Sequence, residues 1–168
     1  GTALGMNIVH PSSIFKQLLL GEKPDIKNSQ AGIDFWESIR GKELFKNRDQ
    51  CESAIDFTCD EILLEILSRG NTVMDSWSMP WLYHDDTVIK IYLRARYVTR
   101  LFRVARRANI SNTDAAEIVF IKDMNTRNLY MKHRGFDIYS DIQVFDYIID
   151  TDNLTEDEVF EKCVQYFI

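Results

Sequence analysis

Six arginines and no acidic residue fall between positions 94 and 107 of a chain whose formal net charge is -6. Four of them follow one another at intervals of four, three and four residues, namely Arg96, Arg100, Arg103 and Arg107. On an α-helix this spacing places the four on one face, where like charges repel and a bound polyanion would relieve the repulsion. Arginine suits phosphate because its planar fork grips two oxygens at once. The pattern indicates a phosphate site or, alternatively, a solvated basic face that pairs with acids elsewhere in the chain.

The sequence around these arginines predicts how they are held. Four apolar residues fall on the opposite side of the same helix, which makes it amphipathic: Val98, Leu101, Phe102 and Ala105. A β-strand is predicted directly before it, over residues 87–93. A strand that leads into an arginine-rich helix is a reasonable place to hold phosphate groups.

Strand and helix patterns alternate along the rest of the chain. Further strands are predicted at residues 6–10, 72–75 and 145–149, and helices at 11–20, 29–39 and 50–69. The first of these helices has Ser12 or Ser13 as its expected N-cap, and the last helix of the chain begins with a capping-box spacing at Thr155 and Glu158. This order predicts an α/β fold with a parallel sheet of about five strands and helices on both faces.

The segment between Ser111 and Arg134 has helical propensity and mixed charge. A polar helical excursion between two strands of an α/β sheet is typical of a mobile lid over a site. An ordinary crossover helix pair fits the same pattern.

The bulk composition limits the class of protein. A chain of 168 residues with 45% hydrophobic and 27% charged residues fits one domain with a full core. No apolar run approaches the roughly 18 residues that a membrane helix needs, and no signal peptide is visible, so we expect a cytoplasmic protein without membrane attachment. Net acidity argues against general nucleic-acid binding. Three scattered cysteines and three isolated histidines predict neither a disulfide framework nor a metal cluster.

From residue 93 onward the sequence resembles the cytidylate kinase-like branch of the nucleoside monophosphate kinases, particularly the archaeal-type enzymes. The resemblance rests on motifs in the family's order: Leu93-Arg94-Ala95, Arg100, Arg103, Arg106-Arg107, Ile110-Ser111, Tyr130, Gly135-Phe136-Asp137-Ile138 and Phe145-Asp146-Tyr147-Ile148-Ile149-Asp150-Thr151. The resemblance also covers residues 4–16 and 55–81 and is thinnest between residues 20 and 50. The family fold implied is a three-layer P-loop kinase-like fold, formed here by one domain over residues 1–168 with a helical lid at about 108–134. The implied reaction moves the γ-phosphoryl group of ATP, with Mg²⁺, to CMP, dCMP or a similar nucleoside monophosphate.

The resemblance also implies a set of catalytic residues. Arg103 and Arg107 would approach the phosphates from the lid hinge. Lys122 and Arg127 would arrive from the second lid helix as it closes over the reactants. Closure would also expel water, which limits hydrolysis of the donor.

A second set is implied for the acceptor. Lys16 lies where relatives have an arginine for the acceptor phosphate, Ser13 lies where they place a residue near the nucleoside, and Asp56 lies in the same substrate-binding region. Asp75, after the third family strand, would bind Mg²⁺ through water. Lys16 as a surface lysine and Asp75 as a loop cap are the alternatives.

Two features depart from the family pattern. The phosphate-binding loop GxxxxGK[ST] is not found in the sequence, and we expect it, with the first family strand, in residues upstream of Gly1 in the natural protein. Ser76-Trp77 lies where relatives carry a Gly-Arg pair that binds the acceptor phosphate. Both departures favour an alternative function, a degenerate kinase-like domain that binds a nucleotide or a protein without catalysis. The aromatic group of Trp77, Trp81 and Tyr83 would pack over the sheet edge or stack on a base.

Overall fold

The computed structural model describes residues 5–25 and 53–167. The chain divides into two compact units, Gly1–His84 and Asp85–Ile168. The helix predicted at residues 29–39 lies outside the described residues, as does Cys51.

Among its described residues, the first unit has two strands and three helices. They are β1 (Asn7–Val9), α1 (Pro11–Leu19), α2 (Ser53–Ser68), β2 (Thr72–Met74) and α3 (Met79–Leu82). β1 pairs with β2 in parallel, with Ile8 opposite Val73. The two longer helices supply most of the core, which consists of Val9, Ile14, Phe15, Cys59, Leu63, Ile66 and Met79. This unit confirms the strands predicted near residues 6–10 and 72–75.

The ends of the helices in this unit follow local backbone chemistry. The expected N-cap at Ser12 or Ser13 is wrong, because α1 begins at Pro11 and its N-cap is His10. Proline fits the first helical position, since its φ is already near the helical value and its missing N–H would have no partner there. The end of α2 is as predicted, since Gly70 (φ 72°) and Asn71 (φ 49°) both adopt left-handed backbone conformations.

The second unit contains two strands, three α-helices and a 3₁₀ turn. They are β3 (Ile91–Arg94), α4 (Tyr97–Ala108), α5 (Asn112–Arg134), the turn Ile142–Val144, β4 (Tyr147–Asp150) and α6 (Glu156–Val164). β3 pairs with β4 in parallel, so that Ile91 lies opposite Tyr147 and Arg94 opposite Asp150. The buried apolar residues of this unit are Ala105, Ala115, Val119, Leu129, Tyr130, Phe136, Ile138 and Ile149.

Two expectations for the arginine segment need correction. The strand begins at Ile91 and not at residue 87, because Thr87 and Val88 bond back to Asp85 in a turn. The apolar side of α4 is only partly buried, since Ala105 is buried while Val98 and Phe102 are 55% and 53% exposed. Arg100, from the arginine side, is half-buried, and an acid from α5 neutralises its charge.

The α/β class with parallel strands is confirmed. In the described part of the chain the four strands form two two-stranded sheets, not the single sheet of about five strands that we expected. The three-layer arrangement, the helical lid and the single-domain organisation stay predictions. None of the helices within residues 5–25 and 53–167 is long and apolar enough to cross a lipid bilayer.

Candidate active site

Three of the clustered arginines are paired with acids. Arg94 lies 3.5 Å from Asp150, its neighbour across the β3–β4 pair. Arg96, the N-cap of α4 and therefore not part of its helical face, bonds to Asp152 through both its backbone N–H, at 2.8 Å, and its side chain. Arg100 forms a two-pronged ion pair with Asp123 of α5. Pairing with acids elsewhere in the chain was one of the two sequence interpretations, and of the predicted helix face it holds for Arg96 and Arg100.

Arg103 is held in a different way. Its Nη1 donates to the Thr151 hydroxyl at 3.0 Å and its Nη2 to the Thr151 carbonyl at 2.5 Å. Thr151 directly follows β4, is only 5% exposed, and donates its own backbone N–H to the Arg94 carbonyl at 2.7 Å. Of the residues that the structure describes, no carboxylate pairs with Arg103. Neutral acceptors therefore fix this guanidinium at the carboxyl end of the β3–β4 pair and leave its charge uncompensated.

Arg107 lies four residues further along α4, in its last turn beside Arg106. Residues four apart share one side of a helix, so Arg103 and Arg107 can face the same ligand. Both side chains belong to exposed residues. α4 then ends at Asn109, which adopts the left-handed conformation (φ 52°) and reverses the chain toward α5.

The two basic residues predicted on α5 point in different directions. Lys122 and Arg127 are five residues apart, about 140° around the helix. Arg127 forms an ion pair with Asp137 at 2.5 Å. Burial of Asp137 by itself would raise its pKa, but hydrogen bonds from the Tyr139 backbone, the Ser140 side chain and Arg127 outweigh it and lower the pKa. Lys122 is exposed.

A cavity of about 290 Å³ lies in the second unit, and its lining residues are Tyr97, Arg100, Phe120, Asp123, Met124, Arg127 and Tyr139. Asp123 is the polar centre, because it accepts 2.7 and 2.6 Å bonds from Arg100 and a 2.8 Å bond from the Tyr139 hydroxyl. The Asp123 bond raises the pKa of Arg100, while burial and the same carboxylate raise the pKa of Tyr139. Nothing in the sequence pattern indicated this network beyond the position of Asp123 in the mixed-charge segment between Ser111 and Arg134.

The residues predicted for the acceptor all lie in the first unit. Ser13 is buried in the first turn of α1, directly after β1, and Asp75 directly follows β2. Because β1 and β2 are parallel, both residues lie at the carboxyl edge of this pair, the edge where α/β proteins bind ligands. Lys16 is half-buried in the last turn of α1, and Asp56 is half-buried in the first turn of α2.

Asp75 is an exposed carboxylate whose backbone N–H donates to the Val9 carbonyl at 3.3 Å. Among the described residues no group of three or more His, Cys, Asp or Glu could hold a metal ion. Magnesium commonly takes one or two protein carboxylates and keeps several waters, so Asp75 fits as a single ligand that acts through water.

The segment where relatives carry Gly-Arg has a structural role here. Ser76 Oγ accepts from the backbone N–H groups of Ser78 and Met79, at 3.3 and 3.2 Å, at the start of α3. Trp77 next to it is 43% exposed, whereas Trp81 and Tyr83 are half-buried. Residues 75–79 include no basic side chain.

Comparison with known proteins agrees with these motifs. The sequence profile of the cytidylate kinase-like family matches residues 12–153. A protein named cytidylate kinase from Sulfurisphaera tokodaii is 35% identical over 155 residues, which cover 89% of this chain and 85% of that protein. A cytidylate kinase from Staphylothermus marinus is 30% identical over 142 residues, 82% of this chain and 79% of the relative. With most of its length matched by the profile and by both relatives, the chain belongs to the cytidylate kinase-like family.

Proposed function

We propose that this protein is a nucleoside monophosphate kinase that transfers the γ-phosphoryl group of ATP to CMP or dCMP. Family membership supports the kinase class, and the relatives' name, cytidylate kinase, supports a cytidylate acceptor. The observation that carries the proposal is Arg103, an arginine anchored by the neutral groups of Thr151 with no carboxylate partner among the described residues.

Phosphoryl transfer depends mainly on positioned reactants and on fixed positive charge around the migrating group. A guanidinium already held in place loses little freedom when it meets a phosphate, so its charge acts at full strength in the transition state. Arg103 meets this requirement. Arg107, one turn away on α4, adds a second guanidinium group on the same side of the helix.

The two remaining basic residues, Lys122 and Arg127, lie on α5. In this proposal α5 is the moving part of a lid over about residues 108–134, and its closure brings exposed Lys122 to the phosphates. Arg127 would approach in the same movement. Its ion pair with Asp137 would either hold the end of the lid helix in place or break when Arg127 binds phosphate.

The acceptor would bind at the carboxyl edge of the β1–β2 pair, with Ser13 near the nucleoside and Asp56 in the same region. Lys16 would contact the monophosphate. The donor arrives as ATP with Mg²⁺, which neutralises phosphate charge, and Asp75 would contact its water shell.

The experiment is a kinetic comparison in the natural protein, with ADP release measured for CMP, dCMP, UMP and AMP. Arg103→Ala and Arg107→Ala should each lower kcat by about 10²-fold, the usual effect of removing one preorganised donor to a transition state. Arg107→Lys should retain more of the wild-type rate than Arg107→Ala, because lysine keeps the positive charge but cannot form two parallel hydrogen bonds to phosphate. The matched control is Arg96→Ala. Because Arg96 is ion-paired with Asp152, this substitution should leave kcat nearly unchanged.

Equal turnover by the wild type, Arg103→Ala and Arg107→Ala would remove both arginines from the mechanism. A wild-type protein that binds CMP or ATP in calorimetry and turns over none of the four acceptors would instead support the non-catalytic alternative.

A further inference from the structure

Three consecutive residues at the end of β4, residues 150–152, each hold one arginine. The first and the last are aspartates, and they form ion pairs with Arg94 and Arg96. The middle residue, Thr151, holds Arg103 through two uncharged oxygen atoms, its hydroxyl at 3.0 Å and its carbonyl at 2.5 Å. This triplet therefore neutralises two arginines and holds the third without supplying a counter-charge.

The end of β3 orients the hydroxyl of Thr151. Its Oγ1 lies 3.1 Å from the Arg94 carbonyl and 3.0 Å from Nη1 of Arg103. A hydroxyl has one proton and a guanidinium has no acceptor atom, so the proton goes to the carbonyl and the lone pairs face Arg103. The backbone N–H of Thr151 donates to the same carbonyl at 2.7 Å, and the residue is only 5% exposed. Backbone and side chain of Thr151 are therefore both fixed in the orientation that Arg103 uses.

We propose that Thr151 is a positioning residue for phosphoryl transfer, which fixes the orientation of Arg103 and leaves its full charge for phosphate. This inference rests on the kinase function proposed above. A carboxylate in its place would hold the guanidinium as firmly, as Asp123 holds Arg100, but it would neutralise the charge and compete with a phosphate oxygen. The bonds to Thr151 use two of the five N–H donors of the guanidinium, so the others can meet phosphate oxygens.

Steady-state kinetics with ATP and CMP test the proposal in the natural protein. Thr151→Val removes the hydroxyl and keeps the branched shape of the side chain. We expect kcat to fall about tenfold, less than in Arg103→Ala because the carbonyl still accepts from Nη2, while KM for CMP changes little. Thr151→Ser keeps the hydroxyl and should retain most of the wild-type rate. Thr151→Asp should lower kcat further than Thr151→Val, because the new carboxylate would neutralise Arg103.

A double-mutant cycle separates positioning from a purely structural role. In an Arg103→Ala background, Thr151→Val should change kcat by less than about twofold, because the group through which Thr151 acts is gone. An equal loss of kcat in both backgrounds would show that Thr151 does not act through Arg103 and would overturn the proposal. Thr155→Ala is the control, since it removes another bonded threonine hydroxyl, from the cap of α6, and should lower stability without changing kcat.

Side-chain ¹⁵N relaxation of Arg103 measures its positioning without any need for kinase activity. The Nε–H group should be rigid in the wild type and in Thr151→Ser, and more mobile on the picosecond–nanosecond timescale in Thr151→Val. Equal order in the wild type and Thr151→Val would overturn the proposal. If the wild type turned over no acceptor, the kinase function would fail and with it the catalytic use of this position, whereas loss of Arg103 order in Thr151→Val would still support the positioning.

Discussion

Replacing Asp123 by asparagine should loosen the packing of α4 on α5. The substitution keeps the shape of the side chain but removes the charge that accepts two Arg100 bonds, at 2.7 and 2.6 Å, and the Tyr139 bond. Hydrogen bonds to charged groups contribute roughly 1.5–3 kcal/mol each, so the two guanidinium bonds amount to about 3–6 kcal/mol before screening. The side chains of Arg100 and Asp123 are 33% and 23% exposed, and solvent reduces the expected loss to about 2–3 kcal/mol.

Thermal and urea unfolding measure this loss. For a protein of this size each kcal/mol corresponds to about 2–4 °C, so the expected decrease in Tm of Asp123→Asn is about 5–10 °C. Glu161→Gln is the control, because Glu161 is an exposed acid on α6, outside the α4–α5 pair, and it should change stability by less than about 0.5 kcal/mol. If Asp123→Asn were no less stable than Glu161→Gln, the ion pair would not hold the two helices together, and the assigned geometry would be wrong.

Three further outcomes are expected. Thr155→Ala should lower the free energy of unfolding by about 1 kcal/mol, because Thr155 and Glu158 form a complete capping box at the start of α6; Thr155→Ser should retain most of it in urea titrations. Hydrogen bonds hold the pKa of Asp137 below its usual value, so the ionised side chain stabilises the fold above the unfolded-state pKa of about 3.9. This stabilisation is lost as the pH falls through the lower folded-state pKa. In a plot of the urea midpoint against pH, Asp137→Asn should therefore show a smaller decrease at acidic pH than the wild type. Gly135→Ala should cost about 1 kcal/mol in the same assay, because Gly135 ends α5 at φ +75° while no atom crowds an added Cβ.

Sequence patterns predicted those helices and helix ends that depend on residues close together in the chain. Helix α2 and its end at Gly70 followed from apolar periodicity and from a residue that tolerates a left-handed backbone. The capping box at Thr155 was visible as a spacing of three residues. The N-cap of α1 was misplaced because two serines after Pro11 offered a competing signal, and the proline's fixed φ prevailed.

The partners of the arginines could not be predicted in this way. Asp150 and Asp152 lie 56 residues from Arg94 and Arg96, and only the parallel register of β3 and β4 brings them together. The apolar face of α4 was misjudged for a related reason. Amphipathic spacing assumes that charge stays in solvent, but the two-pronged pair with Asp123 lets Arg100 turn inward while Phe102 stays exposed.

The parallel pairing of β3 with β4 also constrains how the second unit folds. Partners in this pair are 56 residues apart, so the strands can meet only after a long loop has closed. Closing that loop costs chain entropy, and no strand contact offsets this cost until the strands pair. The helical hairpin of α4 and α5 lies inside that loop and forms through nearer contacts, 23 residues apart for Arg100 and Asp123. Each such contact shortens the effective loop that remains to be closed. We therefore expect early formation of the hairpin to accelerate folding of this unit, and the Thr151 bonds that fix Arg103 to form late, with the strand pair.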